Sequence, residues 1–222
     1  EATLAGEDAF RFRHLLIRDA AYDSLPKSVR SELHRRFAAW LEEHADGLVE
    51  LDEILGHHLE RSWRYARELG HPEDGALREA ARRRLTAALW RAMTRNDYPA
   101  AATLSERALA LVPDGEVDLL LEVDHVDALA FAGRIAQAVL EAEAGVERAR
   151  GAGDRVAELS LSLFGGLWAS FVEEAGPLED YDRLVQEALP ELEASGDDCA
   201  LWLVHWCASY VAFNQGRIVE QI

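Results

Sequence analysis

From His14 onward the apolar residues of this chain recur at helical spacing, and turn signals interrupt the pattern roughly every forty residues. The turns fall at Asn96, Gly133, Gly176 and Gly216, giving steps of 37, 43 and 40 residues. A helix pair of that length cannot cover both of its apolar faces by itself. It must bury one face internally and the other against the next pair. The spacing therefore predicts an all-α fold, a helical-hairpin repeat solenoid. Small residues recur where helices must approach closely: Ala101 and Ala108 after the first turn, and Ala138 and Ala142 after the second.

Ahead of the repeats lie two more helical stripes. Val29, Leu33, Phe37, Trp40, Leu41 and Ala45 form one after Pro26, which suits a first helical turn. Leu51, Leu55, Leu59, Ser62, Ala66 and Leu69 form the next, which Gly70-His71-Pro72 stops. Alternation of period two occurs only at Ala9–Arg13, where we expect a single short strand. The chain divides on this reading into residues 1–72 and a repeat region over 73–222, incomplete in its fourth unit.

Composition removes several function classes. No run approaches the roughly 18 apolar residues of a membrane helix, and the start, Glu1-Ala-Thr-Leu-Ala-Gly, has no signal-peptide pattern. Both ends break off in mid-pattern, so we expect a piece of a longer polypeptide. Cys199 and Cys207 lie in one predicted helix, about 12 Å apart at helical rise, too far for a disulfide. Two buried thiols in a cytoplasmic protein are the expectation. The net charge of −18 is uneven: residues 1–97 hold 16 Lys/Arg against 18 Asp/Glu, and residues 98–222 hold 7 against 23. An acidic second half argues against direct nucleic-acid binding and reads as a solvated helical surface. One Lys against 22 Arg, with abundant Ala, accords with a GC-rich bacterial genome.

Motifs for chemistry are missing. No Gly-x-x-x-x-Gly-Lys-Ser/Thr, His-Glu-x-x-His or Gly-x-Ser-x-Gly occurs. His57 and His58 are adjacent, so on a helix they point about 100° apart and do not share a metal; one packed and one solvated is expected. Glu122-x-x-His125 and Glu68-x-x-His71 each supply half of a di-iron motif, which needs two helical copies and two more Glu. Asp19 with Asp23 and Glu143 with Glu147 are paired carboxylates that read as solvated charges. Arg82-Arg83-Arg84 reads as a helix face with Glu79 as ion partner. We expect no catalytic residue, no cofactor and no metal.

Two resemblances sharpen the picture. Asp97-Tyr98 followed by Ala101, Ala108 and Pro113 resembles a tetratricopeptide repeat, where a Gly-Asp-Tyr-type turn is followed by Ala, Ala and Pro at these spacings. Gly133 with Ala138, Gly176 and Gly216 mark the later repeats. These depart from the pattern: Gly145 stands in place of the second Ala, its Pro is missing, and the repeats exceed the usual length of about 34 residues. The second resemblance spans Phe10-Arg-Phe-Arg-His14-Leu-Leu-Ile17-Arg18-Asp19-Ala20-Ala21-Tyr22 and Arg30-Ser-Glu-Leu33-His34-Arg-Arg-Phe37-Ala38. It is similar to the segment behind the ATPase module of bacterial signal-transduction ATPases with numerous domains, such as class III adenylate/guanylate cyclase-like proteins and large LuxR-type activators. In those proteins the segment is the last strand of a winged-helix module with linking helices, and tetratricopeptide-like repeats follow.

The resemblances imply a non-catalytic interaction and sensor scaffold, taking a protein or small inducer on its concave face and relaying its presence to ATPase and output modules. A LuxR-type inducer-binding domain is the alternative, and a helical metal-dependent enzyme a more distant one. Neither nucleic acid nor a membrane is an expected partner. Trp202, Trp206 and Tyr210 fall at core spacing, four residues apart. With the next repeat incomplete, their helix is expected to lose its cover on one side. Two copies would then meet there as a homodimer, unless Gln215–Ile222 folds back.

Overall fold

The computed structural model describes residues 13–45, 47–71, 74–172 and 178–217. Among them there are ten helices and no strand, so the fold is all-α. The strand expected at Ala9–Arg13 lies outside the described residues except for Arg13. Two compact units divide the chain, 1–88 and 89–222.

The first unit holds α1 (Leu15–Asp23), α2 (Lys27–His44), α3 (Leu51–Glu68) and most of α4 (Gly75–Thr94). Pro26 caps α2 from just outside its first turn. Helices α2 and α3 form a hairpin around Ala38, Leu41, Ala45 and Leu55, with Trp40, Leu48 and Ile54 packed alongside. Leu41 and Ala45 of the expected α2 stripe are buried, but its first part is not: Val29, Leu33 and Phe37 are exposed, and His34 and Ala38 are buried in their place. Over that part of the helix the buried stripe is one residue further on, a rotation of about 100°. Ala38 permits close approach to α3, and His34 finds hydrogen-bond partners there that no apolar residue could use. Close approach recurs between α3 and α4. A Cβ added at Gly56 would stand 2.9 Å from Leu85 Cδ2 and 3.2 Å from the Leu85 backbone nitrogen. Asp52, buried on α3, is held by Arg84 of α4 at 2.7 Å, and the same guanidinium reaches Glu42 at 2.7 Å.

The second unit holds the end of α4, then α5 (Tyr98–Leu109), α6 (Leu119–Phe131), α7 (Ile135–Ala152), α8 (Arg155–Ala169), α9 (Leu178–Ala194) and α10 (Asp198–Asn214). Each of α5 to α9 packs on the helix that follows it; in addition α6 touches α8, and α8 touches α10. The even-numbered helices therefore form one layer whose members meet directly, with α5, α7 and α9 forming the other. We refer to the layer of α6, α8 and α10, whose neighbours touch, as the inner layer.

One local chemistry ends many of these helices. At Asn96, Gly133, Gly153 and Gly216 the backbone is left-handed, with φ of 58°, 80°, 72° and 73°. Each donates its N–H to the carbonyl three residues back, and the next residue donates to the carbonyl five back: Asp97 to Ala92, Arg134 to Leu129, Asp154 to Ala149, Arg217 to Ala212. This is the Schellman closure, which satisfies carbonyls that a helix end leaves open. Asn96, Gly133 and Gly216 are three of the four turns read from spacing; Gly176 lies outside the described residues. Four aspartates then start the following helices. Asp97, Asp118, Asp154 and Asp197 each accept from the backbone N–H three residues on, a cap worth about 0.5–2 kcal/mol apiece. Part of the acidic excess is thus helix punctuation.

The small residues sit at the helix crossings. Ala101, Ala108 and Ala138 are fully buried. Gly145, the departure from the repeat pattern, has a reason: a Cβ there would lie 3.0 Å from Leu161 Cδ1 and 3.3 Å from Glu122 Oε2. Pro113 lies in the loop after α5, half-buried.

Candidate functional site: the aromatic face of the inner layer

Helix α6 has two polar characters on opposite sides. Glu122 and His125 point toward the other layer, where Glu122 takes a bidentate pair from Arg148 of α7 at 2.8 and 2.7 Å and His125 meets Ser105 of α5 at 2.8 Å. Leu120, Asp124, Asp127 and Phe131, spaced four, three and four apart, form the other stripe. Leu120 and Phe131 are exposed. Between them the two carboxyl groups meet tryptophans of the neighbouring helices in the layer. Trp90 of α4 donates its indole N–H to Asp124 at 2.6 Å. The Trp168 indole of α8 faces Asp127 and lowers its proton affinity without reaching hydrogen-bond geometry. Burial outweighs that contact and, with the Asp124 charge nearby, pushes Asp127 up to about 7. Burial also raises Asp124, against the opposing Trp90 hydrogen bond.

Aromatic rings continue this surface across the hairpins. Tyr98 stacks on Phe131 at 5.1 Å, Phe131 meets Trp168 at 5.4 Å, Trp168 meets Phe171 at 5.6 Å, and Phe171 meets Tyr210 at 5.7 Å. Tyr210 also bonds Ser170 at 2.7 Å. Tyr98 and Tyr210, singled out from sequence for separate reasons, are thus joined by one ring-to-ring chain through successive hairpins, which continues from Tyr210 to Tyr181 at 6.3 Å. Each pair carries about 0.5–1.5 kcal/mol beyond its burial.

Trp202 and Trp206 are not core residues. They are 48% and 51% exposed, stacked obliquely at 5.3 Å, with Leu201 and Phe213 also exposed. Helix α10 packs instead through Ala200, Leu203, Val204, Cys207 and Val211, and no described helix covers the tryptophan side. Gln215 and Arg217 turn toward Asp182 of α9, at 2.9 and 3.7 Å, and not toward the tryptophans. Residues 218–222 of the expected fold-back lie outside the described residues.

The remaining candidates resolve into structural pairs. Arg82 holds Glu79, Arg84 holds Asp52 and Glu42, and Lys27 holds Glu68. Asp19 pairs with Arg18, Asp23 with Arg30, and Glu147 with Arg150. Both cysteines are free, but only Cys207 is fully buried, Cys199 being half-buried. Burial pushes both thiols up to about 11, so neither is an activated nucleophile. No group of three or more His, Cys, Asp or Glu among the described residues is arranged to hold a metal ion. No described helix is long and apolar enough to cross a membrane.

One cluster in the first unit escaped the sequence reading. His57 is exposed and His58 half-buried, as their adjacency implied. His58 Nδ1, however, lies 2.7 Å from His34 Nδ1, and His34 Nε2 lies 2.7 Å from the Tyr22 hydroxyl, which reaches Tyr65 at 3.1 Å. Burial and the neighbouring imidazoles hold His34 down to about 4, and His58 likewise. Each is therefore neutral at pH 7, with one proton shared between the facing Nδ1 atoms. Positions 22, 34, 58 and 65 share no spacing that would have united them.

No family model matches the chain, and no curated protein or solved structure matches it either.

Proposed function

We propose that the chain is a non-catalytic interaction and sensor scaffold, built as a tetratricopeptide-like helical array, within a cytoplasmic multidomain signal-transduction ATPase of bacterial type. The observation that carries this reading is the layer formed by α6, α8 and α10, whose inner side bears a continuous aromatic chain and the Asp124–Asp127 pair. Such a face binds through apolar area while two carboxyl groups select for hydrogen-bond donors or positive charge. A protein segment or inducer seated there would be relayed through the N-terminal helices to ATPase and output modules. A second reading, the inducer-binding domain of a LuxR-type activator, draws support from a cavity between α5, α6 and α7. A helical metal-dependent enzyme would need converging ligands that the described residues do not offer.

The coding sequence around this segment tests the relay. An upstream ATPase module with its Gly-x-x-x-x-Gly-Lys-Ser/Thr loop is expected, and its absence would sink the relay. In that parent, Asp127→Asn with Phe131→Ala should uncouple output from the inducing signal while basal ATP turnover persists. Full signal dependence in that variant would overturn the assignment of the inner face.

A further inference from the structure

Helices α5, α6 and α7 and the loop between α5 and α6 border a half-open cavity of about 630 Å³ on the opposite side of α6 from the aromatic face. Its floor is His125, which is only 4% exposed. Ser105 Oγ lies 2.9 and 3.0 Å from the carbonyls of Ala101 and Ala102, and 2.8 Å from His125 Nδ1. Carbonyl oxygens only accept, so we assign the single hydroxyl proton to them and the Nδ1 proton to the bond with Oγ. The neutral ring then presents Nε2 as a bare acceptor. No protein group meets that nitrogen, and it is not sealed off, since Trp168 and Ser160 supply the fully occluded unpaired side-chain atoms among the described residues. It is the ring's polar edge toward the cavity.

The walls carry one sign of charge. Among the described lining residues Arg148 is the one cation, and Glu122 holds it by two bonds. Glu106, Asp114, Glu116 and Glu141 also line the space; none is within ion-pair distance of a described basic residue, although the Glu141 charge acts on Arg148. The C-terminal turns of α5 and α7, at Leu109–Ala110 and Gly151–Ala152, both border it. Helix C-termini carry partial negative charge and favour cations. A nearly buried acceptor nitrogen, four carboxylates outside the described ion pairs and two helix C-termini all ask for the same thing, a positively charged N–H donor. A divalent metal is a poor match, because the carboxylates do not converge into a ligand set.

We propose that this cavity is a binding site for an organic cation bearing several N–H donors, either an aliphatic polyamine or the guanidinium of an arginine side chain. The cation donates to His125 Nε2 at the floor and to Glu106 and Glu141 at the walls. The proposal does not depend on the scaffold reading, and the site lies apart from the inner face.

Isothermal titration calorimetry of the 222-residue chain tests it, with spermidine, N-acetyl-arginine amide and magnesium as separate probes. Saturable one-to-one binding of spermidine or of the arginine amide is expected, and whichever binds tells a free polyamine from a peptide side chain. Losing one charge-assisted bond should weaken binding about tenfold. Glu106→Gln with Glu141→Gln, both at accessible positions, removes two such bonds and should weaken binding about a hundredfold without a change in melting temperature. His125→Asn should abolish binding; should it unfold, the double variant alone decides. Failure of both organic cations to bind the folded chain would overturn the proposal. So would binding untouched by the double variant, or magnesium binding as tightly as spermidine.

Discussion

Both units use small-residue contacts and polar cross-links between helices, but they rely on them to different degrees. In the second, helices meet through small residues and repeat one closure at their ends: Ala101, Ala108, Ala138 and Gly145 at the crossings, and left-handed Asn96, Gly133, Gly153 and Gly216 at the turns. In the first, the α2–α3 pair is cross-linked by polar side chains, with Tyr22, His34, His58 and Tyr65 in one hydrogen-bonded run and Arg30 over the Tyr22 ring at 4.8 Å. Steric packing tolerates changes of pH but not of volume. A neutral histidine pair tolerates neither protonation nor loss of a partner. The comparison teaches where each unit is weak, and it can be broken at those points.

The largest effect belongs to volume in the second unit. Ala101 is fully buried between helices, so Ala101→Trp should cost about 3 kcal/mol or more, the upper end for overpacked cores. Calorimetry should show a lowered melting temperature; an unchanged one would mean that the crossing is not as close as its burial indicates.

Acid should find the first unit. His34 and His58 stand at about 4, below the ordinary 6.5. Above pH 6.5 both states are neutral and stability is at its full value. Between 6.5 and 4 the unfolded chain takes up protons that the folded cluster refuses, so stability falls with pH and levels off below 4. Discounted for the solvent that reaches the half-buried pair, the loss is on the order of 3 kcal/mol. Asp127, pushed up to about 7, takes up its proton first in the folded state and works with the opposite sign over this range, so the histidine slope is read from chemical denaturation as the difference between the parent chain and His34→Gln with His58→Gln. A slope unchanged in the double variant would move the effect to other groups.

What could be read from sequence follows the same division. Turn chemistry is local, so Asn96, Gly133 and Gly216 were placed from spacing alone, and Ala101 and Ala138 followed as buried contacts. Leu41 and Ala45 were legible on α2, but the first part of its face was not, because the apolar Val29, Leu33 and Phe37 outweigh a stripe containing His34, whose partners lie 12 and 24 residues away. Asp124 and Asp127 gave no sign of their role because their tryptophans sit on α4 and α8. Spacing says which residues share a helix face. It does not say which neighbour that face meets.

A smaller effect tests the turns themselves. Gly133 and Gly216 sit at positive φ with open space where a Cβ would go. Alanine at either should therefore cost only the left-handed penalty, about 1–2 kcal/mol. Asn96→Gly, at φ 58°, should be neutral or slightly stabilising in the same melting assay. If Gly133→Ala were neutral, the shared closure would not be what fixes the hairpin ends.

The smallest expected change in stability lies at Trp202 and Trp206. Both are half-exposed, and neither belongs to the packed face of α10. Replacing an exposed side chain away from a core usually shifts stability by no more than about 0.5 kcal/mol, so Trp206→Glu should melt with the parent chain. Association is where it should act. Trp202, Trp206, Leu201 and Phe213 place four large apolar side chains on one uncovered helix, and contiguous patches of that kind are uncommon on monomers. A two-fold contact would bury the same patch on both copies, and it would seat the indole rings against each other without any new polar partner. Light scattering should then find a concentration-dependent dimer of the parent chain, and a monomer of Trp206→Glu at every concentration. Charge repulsion between two glutamates at the centre of such a contact is enough to open it, since a buried unpaired carboxylate has no compensating group there. A parent chain that stays monomeric at high concentration would reserve this face for a different partner.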